Sequence, residues 1–104
     1  MKQGFPFYAS HATVSITVGA TTGNVDLGLD AGYTDQVEIF NATTETIFIK
    51  AGDSSVTAAL ASGRPIPSGA VICTSLPPFA TKPYIAAIGT GATGKIYFTP
   101  GRGW

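Results

Sequence analysis

Residues 35–58 read Asp-Gln-Val-Glu-Ile-Phe-Asn-Ala-Thr-Thr-Glu-Thr-Ile-Phe-Ile-Lys-Ala-Gly-Asp-Ser-Ser-Val-Thr-Ala and carry the clearest local pattern in the chain. Val37 and Ile39 alternate with polar neighbours, and Ile47 and Ile49 repeat the alternation. A period of two places successive side chains on opposite faces of a strand. The polar residues 41–45 favour a chain reversal, because short polar side chains bond nearby backbone groups. The stretch therefore predicts a β-hairpin with a loop of about five residues, around which the other strands pack.

The rest of the chain continues as short β-rich runs separated by turn residues. Besides the two runs of the hairpin, strands are predicted at residues 13–18, 25–29, 70–76, 84–88 and 95–99. Residues 58–62 could form a helical turn, which Gly63 and Pro65 would stop, and residues 66–69 are predicted to form a turn. The pattern predicts an all-β fold, a single small β-sandwich or barrel of about seven short antiparallel strands.

The N-terminal segment lacks this alternation. Three aromatic side chains crowd around Pro6, which favours an extended backbone. An aromatic ring hides about 150–250 Å² when it is buried, so such an arm is predicted to pack either on its own domain or on a neighbour. We predict an extended arm at residues 1–10 and a β-sandwich domain at residues 11–104, ending in a short tail. The residues predicted to contact a partner are Phe5, Phe7, Tyr8, Arg102 and Trp104.

The composition describes one weakly charged domain. The 104 residues are 44% hydrophobic and 12% charged, with a formal net charge of zero, which argues against a nucleic-acid or membrane partner held by charge. Residues 1–53 hold all six acids and two bases (2 − 6 = −4), whereas residues 54–104 hold four bases and no acid (+4). This split either joins the two halves within one fold or gives two faces of opposite sign, suited to head-to-tail contacts between copies.

Cysteine content and hydropathy indicate the cellular compartment in which the protein is expected. Cys73 is the single cysteine, which precludes an intramolecular disulfide, and its strand-like surroundings predict a small buried hydrophobe. The N-terminus lacks the apolar run of a signal peptide, and no stretch reaches the length of a membrane helix. We expect a soluble protein made in the cytosol.

One glycine-rich stretch imitates a phosphate-binding loop. Gly89, Gly91 and Gly94 satisfy the spacing G-x-G-x-x-G, and Lys95 follows. Phosphate loops of this kind need a helix directly afterwards, because its N-terminal amides hold the anion. Here a β-rich run follows instead, so the stretch is predicted to be a hairpin loop that binds no nucleotide.

The sequence offers little catalytic chemistry. His11 is the only histidine, and no nucleophile signature surrounds Cys73 or any serine. Asp26 and Asp30 lie near the second predicted strand and its exit turn, where acidic residues more often form turns than catalyse. The chain lacks a Cys/His cluster or a calcium-loop pattern. We therefore predict a protein that is not an enzyme and uses no cofactor or metal.

Several stretches together resemble small structural proteins of tailed bacteriophages. The resemblance covers residues 35–104 and rests on Val-Glu-Ile-Phe-Asn-Ala-Thr, Ile-Phe-Ile-Lys-Ala-Gly-Asp-Ser-Ser-Val-Thr-Ala (47–58), Pro-Ile-Pro-Ser-Gly-Ala-Val (65–71), Tyr-Ile-Ala-Ala-Ile (84–88) and Gly-Lys-Ile-Tyr-Phe-Thr-Pro-Gly-Arg-Gly-Trp (94–104). It implies an all-β virion protein of about a hundred residues, made in the host cytoplasm. The N-terminal arm lies outside it.

The resemblance implies several virion roles. The role favoured here is a capsid decoration (cement) protein, a class that clusters as trimers at local symmetry axes and bridges subunits of the major capsid protein. A head-fibre, tail or adaptor component is the first alternative, with another virion protein as partner. A carbohydrate-binding module at a virion tip is the second, with Tyr33, Phe79 and Tyr84 as candidate stacking residues.

Overall fold

The computed structural model describes residues 8–9, 12–29, 36–60, 62–75, 81–91 and 94–102. Within these ranges the chain forms strands and turns, and no helix is long and apolar enough to cross a membrane. The strands are β1 (Tyr8–Ala9), β2 (Val14–Val18), β3 (Gly23–Asp26), β4 (Gln36–Asn41), β5 (Ile47–Gly52), β6 (Arg64–Ile66), β7 (Val71–Ser75), β8 (Tyr84–Ile88) and β9 (Gly94–Arg102).

The strands form two antiparallel sheets. In the first sheet β9 and β4 are central and β7 is one edge, while β1 and β2 follow one another along the other side of β9. This sheet is therefore four strands wide at any level. The second sheet has the order β3-β8-β5-β6.

The pairing follows a nested pattern that defines the topology. Strand β2 pairs with β9, β3 with β8, β4 with β7 and β5 with β6, as if one long hairpin had been rolled up. Every connection between consecutive strands from β2 to β9 crosses between the sheets, except that from β5 to β6. Two four-stranded sheets connected in this way are a jelly roll.

The core formed by the described residues lies between the two sheets and is aliphatic, with one aromatic ring. Alternate residues of each strand point inward, which is why the period of two in the sequence predicts the core positions. Its buried members are Ile16, Val18, Leu27, Leu29, Val37, Ile39, Ile47, Ile49, Ile66, Ile85, Ala87, Ile96 and Phe98.

The predicted all-β sandwich is confirmed, with more strands than expected. The described residues form eight strands of three or more residues, besides the two-residue β1, where seven were predicted. The missed strand is β6, whose Ile66 was assigned to a turn. Proline is tolerated there because β6 is an edge strand, and Pro65 lies opposite Phe48 of β5.

The predicted central hairpin is wrong, although both of its strands exist. Strand β4 belongs to the first sheet and β5 to the second, so residues 42–46 cross between the sheets. The crossing is held by Asn41, whose buried amide donates to the carbonyls of Glu45 (3.0 Å) and Ile66 (2.7 Å). Its Oδ1 accepts the backbone N–H of Thr43 at 2.9 Å. A buried polar corner thus takes the place of a surface turn.

The glycine-rich stretch is likewise a crossing rather than a hairpin loop, because β8 and β9 lie in different sheets. The carboxylate of Glu45 accepts hydrogen bonds from the backbone N–H and the hydroxyl of Thr90, the latter at 2.9 Å. A Cβ at Gly89 would lie 2.5 Å from Glu45 Oε1, so glycine permits this approach. The loop holds an anionic group of its own chain.

Candidate functional site

An apolar row crosses the solvent-facing side of the first sheet. Phe40 of β4 lies opposite Tyr97 of β9 on one side and Val71 of β7 on the other. Val71 is 60% exposed and Phe40 is 41% exposed. The rings of Phe40 and Tyr97 are stacked, with centroids 6.1 Å apart and planes 15° apart. We call Tyr97, Phe40 and Val71 the apolar row.

The row faces solvent because of the alternation in β4. Val37 and Ile39 point into the core and are fully buried, so Gln36, Glu38 and Phe40 point outward. An aromatic residue in phase with Gln and Glu on a strand is the sequence signal for this surface. Sequence reasoning missed it, since it took the exposed aromatic residues to lie in the arm, the loops and the tail.

Polar side chains surround the row, and exposed Lys95 lies two residues before Tyr97 on the same face of β9. Ser15 of β2 lies opposite Tyr97. Two residues after Tyr97 on β9, the hydroxyl of Thr99 lies 2.7 Å from the hydroxyl of Thr13. Glu38 of β4 lies opposite Cys73 of β7 at the same level. The row is thus an apolar strip within a weakly charged face, a composition suited to contact with another macromolecule.

The predicted burial of Cys73 is wrong. Cys73 is exposed, because its neighbours Ile72 and Thr74 take the inward positions of β7 and leave its side chain on the outer face. Local desolvation raises the pKa of its thiol, and the negative charge of Glu38 raises that pKa further.

The predicted partner residues fall into two groups. Phe5, Phe7 and Trp104 lie outside the described residues. The backbones of Tyr8 and Arg102 lie opposite one another in the pairing of β1 with β9, next to Ala9 and Gly101. The structure therefore joins the end of the predicted arm to the C-terminal strand of the same chain.

The carbohydrate candidates divide in the same way. Tyr33 and Phe79 lie outside the described residues, whereas half-buried Tyr84 lines a surface depression of about 300 Å³. Asp53, Ser54, Thr81 and Lys82 complete this depression. The depression thus brings an acid of the first half of the chain and a base of the second half to one surface.

Asp53 has a structural role in this depression. Its Oδ1 accepts the hydroxyl of Ser55 at 2.6 Å and the backbone N–H of Ser55 at 2.9 Å. These hydrogen bonds lower the pKa of the Asp53 carboxyl. The carboxylate thus fixes the turn after β5, and the Asp53 side chain remains exposed to solvent.

The residues considered for chemistry do not form a centre in the described part of the chain. Asp26 accepts the backbone N–H of Gly28 at 2.8 Å, the turn-forming role that the sequence favoured. His11 and Asp30 lie outside the described residues. Within the described ranges, no three His, Cys, Asp or Glu side chains come close enough to hold a metal ion.

Comparisons with known proteins add no relative. No protein-family model, curated protein or solved structure matches the chain. The functional interpretation therefore depends on the geometry of this molecule and on the sequence resemblance described above.

Proposed function

We propose that this chain is a non-enzymatic structural protein of a virion, a capsid decoration protein that bridges subunits of the major capsid protein. The observation that carries the proposal is the apolar row on the outer face of the first sheet. Phe40 and Val71 lie side by side and remain exposed, on a face whose other side chains are small or polar. Such an arrangement stabilises an isolated chain little and suits one that is covered by a partner.

Two further observations support a virion partner over other macromolecules. The jelly roll recurs in viral capsid domains, an analogy of fold that raises the expectation without assigning a function. Residues 35–104 also resemble structural proteins of tailed bacteriophages. The same resemblance supports a trimer as the assembly unit and the host cytoplasm as the place of synthesis.

The composition suits the same role. A chain with zero net charge and 12% charged residues has weak colloidal protection as a free monomer. Burial of its uncharged faces on a particle would remove that disadvantage.

Localisation on purified particles tests the proposal. Antibody labelling and quantitative mass spectrometry of particles from the virus that encodes this chain should find it on the capsid, in numbers comparable to those of the major capsid protein. Label confined to fibres or the tail would replace the decoration role by the alternative virion roles. Absence from the particles would overturn the proposal.

A second candidate is a carbohydrate-binding module at a virion tip, supported by the Tyr84 depression. A half-buried ring beside a carboxylate, an ammonium group and hydroxyls offers both stacking and hydrogen bonds to a sugar. Glycan-array binding that Tyr84→Ala abolishes and Tyr97→Ala leaves unchanged would favour this candidate. Equal binding by both variants would count against it.

A further inference from the structure

The four sheet edges differ in how well they are protected from pairing with another strand. Natural edge strands are shortened, broken or supplied with charge or proline, because an open edge recruits further strands. Strand β6 has three residues, including Arg64 and Pro65, and β3 contains glycine, asparagine and aspartate. The edge formed by β1 and β2 is interrupted where β9 carries Pro100.

Strand β7 has none of these protections in its own residues, although the guanidinium of Arg64 donates to Thr74 Oγ1 at 3.0 Å on the inner side of the sheet. Its sequence Val-Ile-Cys-Thr-Ser is continuous, uncharged and free of glycine and proline, and it contains three β-branched residues. It is the edge of the first sheet next to the apolar row, and Val71 at its start is the most exposed large hydrophobic residue in the described chain. Strand β2 is also continuous, uncharged and free of glycine and proline, but its outward residues Ser15 and Thr17 are polar, whereas β7 offers the exposed apolar side chain of Val71 to an added strand.

The hydrogen-bond pattern shows which backbone groups β7 offers. The N–H of Asn41 donates to the carbonyl of Ala70 at 3.0 Å, so the pairs that exchange hydrogen bonds with β4 continue at Ile72 and Thr74. In an antiparallel ladder the intervening residues point their N–H and C=O groups the other way. The free edge is therefore formed by Val71, Cys73 and Ser75.

We propose that β7 pairs antiparallel with β7 of a second copy of this chain, about a two-fold axis at Cys73. This register aligns all five residues of each strand and places Val71 opposite Ser75 of the second copy. Two uncharged edges meet without like charges in register, and the zero net charge of the chain removes overall repulsion between copies. The contact uses the same surface twice, as a two-fold interface requires.

The new contact would cover the apolar end of the edge. Val71 would gain Ser75 of the second copy as its direct neighbour and Cys73 of the second copy as its diagonal neighbour. About six backbone hydrogen bonds would join the strands. The two first sheets would become one continuous sheet with both apolar rows on the same outer face.

The expected dimer is weak in dilute solution. A single pair of five-residue strands buries less than the roughly 1,200 Å² of a standard interface, so we expect a dissociation constant on the order of 0.1 mM. The contact would strengthen where copies are concentrated on a surface. It joins two copies only, so in a trimeric assembly it would link copies of different trimers.

Charge substitution at the axis tests the register. In sedimentation equilibrium the wild-type mass should rise with concentration from the 10.6 kDa of one chain towards twice that value. Cys73→Lys and Cys73→Asp each place like charges opposite one another and should weaken dimerisation by about fivefold or more. An equimolar mixture of the two variants should restore it. Thr17→Asp, at an exposed site on the opposite edge where the new charge lies opposite Lys95, is the control and should leave it unchanged.

Oxidation of the single thiol gives a second measurement that does not depend on tolerance of a charge. Opposed residues in the proposed register have Cα atoms about 5.5 Å apart, within the range that a disulfide spans. Diamide takes up the two electrons and two protons that a pair of Cys73 thiols releases, and a covalent dimer should form. The variant Cys73→Ser/Ser75→Cys moves the thiol along the same exposed face to a position opposite Val71, and should cross-link more slowly.

The outcomes separate this proposal from the virion role. A wild-type chain that remains monomeric at 1 mM, or charge variants that dimerise as well as the wild type, would overturn the edge pairing even if the edge binds a strand of another protein. Both measurements use the purified chain without particles. Failure to find the chain on particles would leave them unaffected.

Discussion

The two sides of β4 contrast sharply although they belong to the same six residues. The inward side carries Val37, Ile39 and Asn41, each of them buried, and its contacts hold the two sheets together. The outward side carries Gln36, Glu38 and Phe40, and it leaves an aromatic ring 41% exposed. The inward side is explained by folding alone. The outward side leaves the Phe40 ring partly in water, and this difference is why we propose that a partner covers the outer face.

The largest expected effect is on the free energy of unfolding, and it distinguishes the adjacent residues Ile39 and Phe40 of β4. Ile39→Ala should lower the free energy of unfolding by about 2–5 kcal/mol, because it removes buried methyl groups and leaves a cavity. Phe40→Ala should cost about 1 kcal/mol, mainly from the lost stacking on Tyr97. Urea unfolding followed by circular dichroism measures both. Equal costs would show that Phe40 belongs to the core and would remove the contrast.

The second-largest expected effect concerns Asn41, the buried polar residue on the inward side of β4. Asn41→Ala should cost about 3 kcal/mol, because the carbonyl of Ile66 and the N–H of Thr43 lose their partner inside the protein. The matched control is Asn24→Ala. Its side chain also donates to two carbonyls, those of Ser54 (3.0 Å) and Val56 (3.2 Å), but at an exposed site where water replaces it.

For the control variant we expect a cost of about 1 kcal/mol or less. The same urea titrations give both values. If Asn41→Ala cost no more than Asn24→Ala, the crossing between β4 and β5 would not depend on its buried amide.

A smaller loss of stability is expected in the loop between β8 and β9, where one glycine is closely packed and another is not. Gly89→Ala should cost about 2 kcal/mol, because the new methyl group meets Ile47 Cδ1 at 2.9 Å as well as the Glu45 carboxylate. Gly91→Ala is the control, since a Cβ there meets nothing within 4 Å. Thermal unfolding of the two variants should therefore separate them. A neutral Gly89→Ala would show that the loop moves freely away from Glu45.

The smallest expected effect is a shift in the pH dependence of alkylation of Cys73, the thiol on the outer face of β7. Because the pKa of Cys73 is raised, less thiolate is present at a given pH, and its alkylation by iodoacetamide should rise at higher pH than that of a cysteine peptide. Glu38→Gln removes the negative charge beside the thiol and should move the profile back towards lower pH. Glu45→Gln, whose carboxylate binds Thr90, should leave it in place. If the pH dependence of alkylation were the same in Glu38→Gln as in the wild type, the charge of Glu38 would not influence the pKa of the Cys73 thiol.

Much of the fold followed from alternation in the sequence, whereas the topology did not. Val37 with Ile39 and Ile47 with Ile49 identified two strands and their inward faces. Alternation says nothing about which strand lies beside which, so a crossing between sheets was taken for a hairpin. The deciding feature was the burial of Asn41, which depends on the carbonyl of Ile66 far along the chain.

The candidate surface was hidden for a related reason. Phe40 reads as one more hydrophobic residue until the register places it beside Tyr97 and Val71 on the outer face. Cys73 was misplaced because Val71, Ile72 and Cys73 are all apolar, so the sequence does not show which residues of β7 face outward. Both errors concern which apolar residues of a strand face solvent, and the sequence pattern alone does not specify this.

Attachment of a double variant to particles tests the central claim, that the outer face of the first sheet binds a virion. Phe40→Ser/Val71→Ser should bind particles lacking the protein at least about tenfold more weakly than the wild type in co-sedimentation, while its free energy of unfolding stays within about 2 kcal/mol of that of the wild type. Lys50→Ser, at an exposed position of the second sheet, is the control and should bind normally. Wild-type attachment by the double variant would contradict the claim.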